Sequence, residues 1–252
     1  MSNFVDLHHH LIYGVDDGPK SREEMYAMLR LAAQEQVRDI VCTSHAAPGQ
    51  EAFPMEAYMQ RLREAQAWLV QSGLPIRLHS GCEVMYSAYT MRLLQEGKLP
   101  TLAGTGCVLL EFLPQTGIDQ IRKAARAIGS LGHTVIFAHV ERYRALHRLQ
   151  HIRELREEYG VYMQMNTGTI TGSQGFLQNR RTLQMLDEGL IDCVATDAHN
   201  DSTRPCRMLA CYEKLRQRYG KDIADELCFD FQRRLLELDD SHQIPEENNA
   251  AQ

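Results

Sequence analysis

The chain lacks long apolar runs, paired cysteines, glycine-rich phosphate loops and any excess of positive charge. Each absence removes a class of protein. No apolar stretch approaches the roughly 18–20 residues of a membrane span. The opening MSNFVDLHHH has neither a basic segment nor a long apolar one, so it does not read as a signal peptide. The 7 cysteines are odd in number and form no C-x-x-C, which disfavours a disulfide framework or a zinc ribbon and fits a reducing, cytoplasmic compartment. Neither G-x-x-x-x-G-K-[ST] nor G-x-G-x-x-G occurs, so nucleotide loops are unsupported. Net charge is −6, which argues against broad nucleic-acid binding. No repeat, low-complexity stretch or Pro/Gly/Ser-rich linker divides the 252 residues, and α/β barrels of about this length form one domain. The expected division is one domain over 1–240 and a polar, frayed tail over 241–252.

Short, near-continuous apolar runs alternate with longer amphipathic ones. The short runs at Phe4–Leu7, Ile40–Thr43, Ile76–Cys82, Cys107–Leu110, Thr134–Ala138, Val161–Met165 and Cys193–Thr196 read as buried strands. Helical patterns follow at Arg22–Gln36, Met55–Gln71, Ala88–Gln95, Ile118–Leu131, Ala145–Tyr159, Asn179–Glu188, Arg204–Tyr219 and Ile223–Leu236. Ser21 and Glu24 form a capping-box pattern before the first helix, and Gly73, Gly97, Gly132, Gly160 and Gly189 stand where helices should stop. Repeated β-then-α units predict a parallel sheet with right-handed crossovers, closed or open.

Histidine is abundant, with 11 copies, and it is not scattered. Asp6, His8 and His10 follow the first strand, and His45 follows the second. Glu83, Glu111 and His139 end the next three, and Asp197 and His199 end the last. In a parallel barrel these positions share the C-terminal mouth, where active sites lie. Imidazole and carboxylate together suit Zn, Mn or Fe, and a carboxylate such as Glu83 can bridge two ions that clamp a transferring phosphoryl group. His8 and His10, two apart on extended chain, face one side, and His9 faces the other. The remaining histidines, His79, His133, His147, His151 and His242, read as ordinary packing residues. Arg142 and Arg204 lie close to ligands in sequence, and guanidinium pairs bidentately with phosphate. Cys228 and Arg234 have the C-x5-R spacing of a cysteine phosphatase, but within a helical pattern that offers no free backbone N–H groups for a phosphate cradle. The strand-end cysteines Cys42, Cys82, Cys107 and Cys193 read as small core residues.

The segments DLHHHLIYGVDDGPKS, TSHA, GCEV, LLEF, AHVERY and TDAHN, in this order, resemble the PHP (polymerase and histidinol phosphatase) superfamily. They are most similar to the bacterial manganese-dependent protein-tyrosine phosphatases of capsule and exopolysaccharide loci. The resemblance runs from about Val5 to Pro205. It implies a distorted (β/α)7 barrel with three divalent ions at its mouth, most often manganese. One ion would take His8, His10, Glu83 and Asp197, and Glu83 would bridge to a second held by Glu111 and His139. A third would take Asp17, His45 and His199, with Asp17 known only through the resemblance. Arg142 and Arg204 match phosphate-binding arginines. The implied partner is a phosphotyrosine protein such as a bacterial tyrosine autokinase. The alternatives are a small-molecule phosphatase such as a histidinol-phosphate phosphatase, an amidohydrolase, or a non-catalytic metal-binding regulator. An amidohydrolase typically has a bridging lysine, and no strand ends in lysine here. The sequence departs from the family at Ala46, where a second histidine is usual, and in the following APGQEAFPM.

Overall fold

A computed structural model of the chain describes residues 3–172 and 176–238. The expected tail over 241–252, with His242, lies outside the described residues. Among the described residues, nine parallel strands occupy the seven expected positions. They are β1 (Phe4–His9), β2 (Val37–Cys42), β3 (His45–Ala46), β4 (Arg77–Ser80), β5 (Glu83–Met85), β6 (Cys107–Glu111), β7 (Thr134–Phe137), β8 (Tyr162–Asn166) and β9 (Cys193–Ala195). The second and third expected strands are each interrupted. β2 resumes as β3 beyond Thr43–Ser44, and β4 resumes as β5 beyond Gly81–Cys82. The pairing therefore runs β1-β2-β4 at one level and β3-β5-β6-β7-β8-β9 at the other. A parallel bridge between His9 and Ala198 brings the last strand back to the first. Two backbone bonds flank it, Asp197 N–H to the His8 carbonyl at 2.8 Å and His10 N–H to the Ala198 carbonyl at 2.9 Å. The result is a distorted barrel of seven strand units, the arrangement that the family resemblance implies.

The interior is apolar below the mouth. Val5, Leu7, Val41, Leu109, Ile136, Cys193 and Ala195, from five strands, form one buried cluster that Leu102 and Leu236 join. A second and larger cluster lies between strands and helices. The helices are α1 (Arg22–Gln34), α2 (Met55–Ser72), α3 (Thr90–Gln95), α4 (Ile118–Gly129), α5 (Leu149–Tyr159), α6 (Thr167–Thr171), α7 (Phe176–Asp187), α8 (Met208–Tyr219), α9 (Lys221–Asp225) and α10 (Phe231–Leu235). A π-helical turn at Glu226–Asp230 joins the last two, so the expected helix at Ile223–Leu236 is one winding stretch. Helical periodicity explains the packing. α4 buries Ile121, Ala124, Ala125 and Ile128, and α1 buries Met25, Met28, Leu29 and Ala32, each at i, i+3, i+4 and i+7. Only half of the expected capping box forms. Ser21 Oγ accepts the Glu24 N–H at 3.2 Å, but the Glu24 carboxylate takes the Lys20 N–H at 2.6 Å.

One ion cluster holds the lower level of the barrel together. Asp39 of β2 is fully buried and accepts from Arg77 Nε and Nη2, both at 2.7 Å, and from His79 Nε2 at 2.8 Å. Burial alone would raise the Asp39 pKa, but His79 and Arg77 hold it below the ordinary carboxylate value. Asp39→Asn is expected to destabilise the fold by about 2 kcal/mol, less than a fully buried pair because Arg77 keeps 33% of its side chain exposed. In a chain of this size that lowers Tm by about 4–8 °C at neutral pH. A depressed carboxylate stabilises above its unfolded pKa and loses that contribution as pH falls. The gap between variant and wild type should therefore close below about pH 4, which melting curves across pH will check.

Candidate metal centre

The ends of the strands deliver the site. Register between β1 and β2 passes from Asp6↔Ile40 to His9↔Cys42, so β1 carries one extra residue there. Such a bulge resets side-chain alternation. Asp6 consequently does not join the cluster, contrary to its expected place beside His8 and His10. Its carboxylate instead takes the Thr196 N–H at 2.9 Å and the Thr196 hydroxyl, tying β1 to the end of β9. Burial raises the Asp6 pKa to about 6 against these hydrogen bonds. His9 faces away from its neighbours, as expected, and neither ring nitrogen has a hydrogen-bond partner.

The other nine expected ligands converge. The donor atoms of His8, His10 and Asp197 lie within 4.8 Å of one another, as do those of His45, Glu83 and Glu111, and those of His10, Asp17, His45 and His199. His139 Nε2 lies 2.8 Å from Glu83 Oε1 and 3.3 Å from Glu111 Oε1. Glu83 is the hub. Its Oε2 has His45 Nδ1 at 3.0 Å and the Nε2 atoms of His8 and His10 each at 3.3 Å. Yet Oε2 is buried and none of these contacts is aligned as a hydrogen bond. His199 Nε2, 3.1 Å from Asp17 Oδ1, is likewise buried without a hydrogen bond. Lone pairs that converge without satisfying one another are the arrangement a cation completes. The donor set, imidazoles and carboxylates without thiolate, fits Mn, Fe or Zn.

The electrostatics agree. Burial alone would push His10 down, but the Asp16 and Glu83 carboxylates raise it to about 10. Against the same burial, Glu111 and Glu83 raise His139 to about 9. Burial alone would raise Glu83 and Asp197, but the surrounding histidines, with Arg142 in the case of Asp197, hold both well below the carboxylate range. Burial and the neighbouring His10 charge lower His199 to about 3. The carboxylates thus demand positive charge at the centre, which divalent ions would supply.

Arg142 and Arg204 arrive from separate loops and meet at one carboxylate. Arg142 Nη2 is 2.7 Å from Asp197 Oδ2, and Arg204 Nη2 is 2.9 Å from Asp197 Oδ1. Arg204 Nη1 also lies 3.6 Å from Asp17 Oδ2. Arg142 sits in the 3-10 turn Val140–Arg142, entered through His139 at φ 33°, and Asp197 adopts φ 54°. Two non-glycine residues in left-handed conformation at the mouth mark backbone held against its preference.

Three groups escaped the sequence reading. Asp16, beside the expected Asp17, accepts from His10 Nδ1 at 2.8 Å, the His45 N–H at 3.0 Å and the Gly18 N–H at 2.9 Å. Gly18 is required in VDDGP because a Cβ there would meet the His10 carbonyl oxygen at 2.6 Å. Tyr143 OH lies 3.3 Å from His139 Nδ1 and takes the Phe112 N–H, also at 3.3 Å. Gln164 and Asn166 of β8 are the third group. The DDGP pair and the HxERY tyrosine were visible signals for the first two, whereas amides carried none. Of the histidines expected outside the site, His79, His133, His147 and His151 each find a carboxylate or carbonyl partner. The divergent APGQEAFPM loop is fastened to the turn after β5. Ser87 Oγ donates to the Pro48 carbonyl at 2.7 Å, and the Tyr89 ring lies where a Cβ on Gly49 would stand. The cysteines, Cys228 included, are all buried.

A parallel barrel carrying a carboxylate–imidazole cluster at its mouth places the chain in the PHP class of metal-centre proteins. Residues 4–237 match the family model of capsular polysaccharide synthesis, CpsB/CapC. The tyrosine-protein phosphatase CpsB of Streptococcus pneumoniae is 32% identical over 238 residues, covering 92% of this chain and 98% of the relative. The tyrosine-protein phosphatase YwqE of Bacillus subtilis (strain 168) is 24% identical over 223 residues, covering 87% of this chain and 86% of the relative. A crystal structure from a study of YwqE and CpsB, described there as unique metal-dependent tyrosine phosphatases, superposes with a TM-score of 0.81. It is 23% identical, and the match covers 87% of this chain and 89% of that one. The chain belongs to the CpsB/CapC family.

Proposed function

We propose that this chain is a metal-dependent protein-tyrosine phosphatase acting on a bacterial tyrosine autokinase in the regulation of capsule or exopolysaccharide assembly. The observation that carries the reading is the convergence of Arg142 and Arg204 on Asp197, the same carboxylate that faces His8 and His10, each at 3.5 Å. Two guanidiniums beside a polycarboxylate–imidazole cluster suit a phosphate dianion far better than an amide or a neutral sugar. The buried cysteines leave no thiol at the mouth to act as nucleophile.

In this reading His8, His10, Glu83 and Asp197 would hold one ion. Glu83, Glu111 and His139 would hold a second, and Asp17, His45 and His199 a third. The donor set suits manganese, with iron or zinc as alternatives. When bound, the ions neutralise phosphate charge and make water a competent nucleophile at neutral pH. The protein's own groups do the positioning. Arg142 and Arg204 keep 33% and 40% of their side chains exposed, so each has donors left for the non-bridging oxygens of phosphate. Asp197 fixes both forks relative to the cluster. The P–O bond to tyrosine breaks as the oxygen of water bonds to phosphorus, a reaction governed by orientation and charge stabilisation. A phenol has a pKa near 10, so it departs with little help from a general acid. No helix among the described residues is long and apolar enough to cross a membrane. The proposed place of action is the cytoplasm, on a tyrosine-phosphorylated segment of the kinase.

The test is phosphate release from a tyrosine-phosphorylated peptide and from histidinol phosphate, after chelation and with Mn, Fe or Zn added back. Chelation is expected to abolish turnover and metal to restore it for the peptide alone. Turnover of histidinol phosphate alone would move the function to small-molecule metabolism, and metal-independent turnover of either would refute the reading.

A further inference from the structure

Of the seven barrel units, the one built on β8 brings no histidine or carboxylate to the mouth, yet its side chains reach three parts of the site. Gln164 Oε1 lies 3.1 Å from His8 Nδ1 and accepts the His139 backbone N–H at 2.8 Å. Gln164 Nε2 donates to Asn166 Oδ1 at 2.9 Å, and Asn166 Nδ2 donates to Asp197 Oδ2 at 2.7 Å. Asn166 also gives its backbone N–H to Glu141 Oε1 at 3.2 Å, and the Thr169 hydroxyl donates to the same oxygen at 2.9 Å. All these partners are buried.

The direction of each bond in this chain follows from its first. Gln164 Oε1 can only accept, and it takes a backbone N–H that can only donate, so the Gln164 amide has one orientation. His8 Nδ1 must then carry a proton, which turns Nε2 toward Glu83, Asp197 and His10 Nε2, the last 3.2 Å away. Gln164 Nε2 must donate, so Asn166 must accept with Oδ1 and present Nδ2 to Asp197. That bond and Arg142 together occupy Asp197 Oδ2, leaving Oδ1 toward His8, His10 and Arg204. The His139 N–H bond also sits at the residue with φ 33° that aims the turn carrying Arg142.

We propose that Gln164 and Asn166 are positioning residues. This amide relay sets the tautomer of His8, divides the two oxygens of Asp197 between ion and arginine, and so couples the ion site to the phosphate clamp. The proposal rests on the metallophosphatase reading for its consequence in turnover, but its structural content is testable without substrate.

The first test is ¹⁵N NMR of the histidine rings in the zinc-loaded wild-type protein. The His8 ring is expected to bind metal through Nε2 and to keep its proton on Nδ1, and metal bound through Nδ1 would overturn the proposal. The second test measures metal affinity of Gln164→Met, which keeps the shape and removes the relay. Affinity at one ion site should fall about 10–100-fold, as for other partners that orient metal-bound histidines. Gln164→Glu retains the acceptor for His8 and His139, so it should recover most of that affinity. On an aryl phosphate at saturating metal, Gln164→Met should lower kcat more than it raises KM. Should Gln164→Met not fold, the wild-type tautomer and the Gln164→Glu affinity still decide. Gln164→Met binding metal within twofold of wild type would refute the relay. Loss of affinity without any phosphatase activity in wild type would refute the proposed function and leave the relay standing.

Discussion

Replacing Glu83 with glutamine should cost about 10³-fold or more in phosphatase turnover and at least one bound ion. The reason is geometric. Glu83 is the carboxylate on which His8, His10, His45 and His139 all converge, at 3.3, 3.3, 3.0 and 2.8 Å. A bridging carboxylate supplies one negative charge to two cations, and an amide supplies none and offers a donor where a lone pair is needed. Electrostatic groups of this kind are each worth about 10²–10³ in rate, and loss of an ion adds to that. The metal-free variant should melt lower than metal-free wild type, because the buried histidines lose the carboxylate they pair with, as in Asp39→Asn. Ions that bind only the native state raise Tm, so manganese should stabilise the wild type and do much less for Glu83→Gln. The checks are metal content after equilibration at defined free manganese, melting with and without metal, and aryl-phosphate turnover. A variant that keeps its full complement of ions and turns over within tenfold of wild type would remove Glu83 from the centre of the mechanism.

Most of this centre was legible in the sequence because barrel geometry turns strand ends into a common address. Glu111, His139 and Asp197 each follow a run of buried, mostly apolar residues, and Glu83 follows the mixed strand Arg77–Ser80, so locating the strand locates the cluster residue. The reasoning failed where local geometry departs from simple alternation. Asp6 was misplaced because one extra residue in β1 resets which side each side chain takes. The break at Thr43–Ser44 was invisible because those residues fit an extended chain, whereas Gly81 was a readable signal for the break at Gly81–Cys82. The helix at 145–159 begins later, at Leu149, because 3-10 turns at Val140–Arg142 and Arg144–His147 first carry Arg142 back over the mouth. The short α6 at Thr167–Thr171, with glycine, three threonines and an isoleucine, has no helical signal, and Glu141 bonding with Thr169 helps to hold it. Gln164 and Asn166 were missed for a chemical reason. A search for ligands looks for lone pairs with charge or basicity, whereas these amides act on ligands through N–H and C=O groups. Asp16 lay one residue from Asp17, and only the path of the loop decides which carboxylate turns toward His10 Nδ1 and which toward His45 Nε2 and His199.

Arg142→Ala separates a phosphatase from a protein that merely holds metal. Arg142 reaches Asp197 Oδ2 at 2.7 Å, but Asn166 Nδ2 holds the same oxygen at 2.7 Å from the other side. Removing the arginine therefore leaves Asp197 oriented and the ion cluster in place. What is lost is a charged donor aimed at the mouth, and charge-assisted bonds to phosphate are the strong ones. The expected result is a fall of about 10²–10³ in kcat/KM for a phosphotyrosine peptide with unchanged ion content. Arg142→Lys should recover only part of the loss, because an ammonium supplies charge without the bidentate fork. The loss should extend to a small aryl phosphate, since the arginine acts on the phosphoryl group and not on the polypeptide that carries it. Equal activity in wild type and Arg142→Ala would break the assignment of the clamp, and a parallel loss of metal would make Arg142 a support of the cluster instead. Arg204→Ala provides the complementary measurement. Arg204 holds Asp197 Oδ1 at 2.9 Å, the oxygen that faces His8 and His10, so its loss should weaken both phosphate binding and, to a smaller degree, ion affinity. The two arginines thus differ in a way that only their separate bonds to the two oxygens of Asp197 predict.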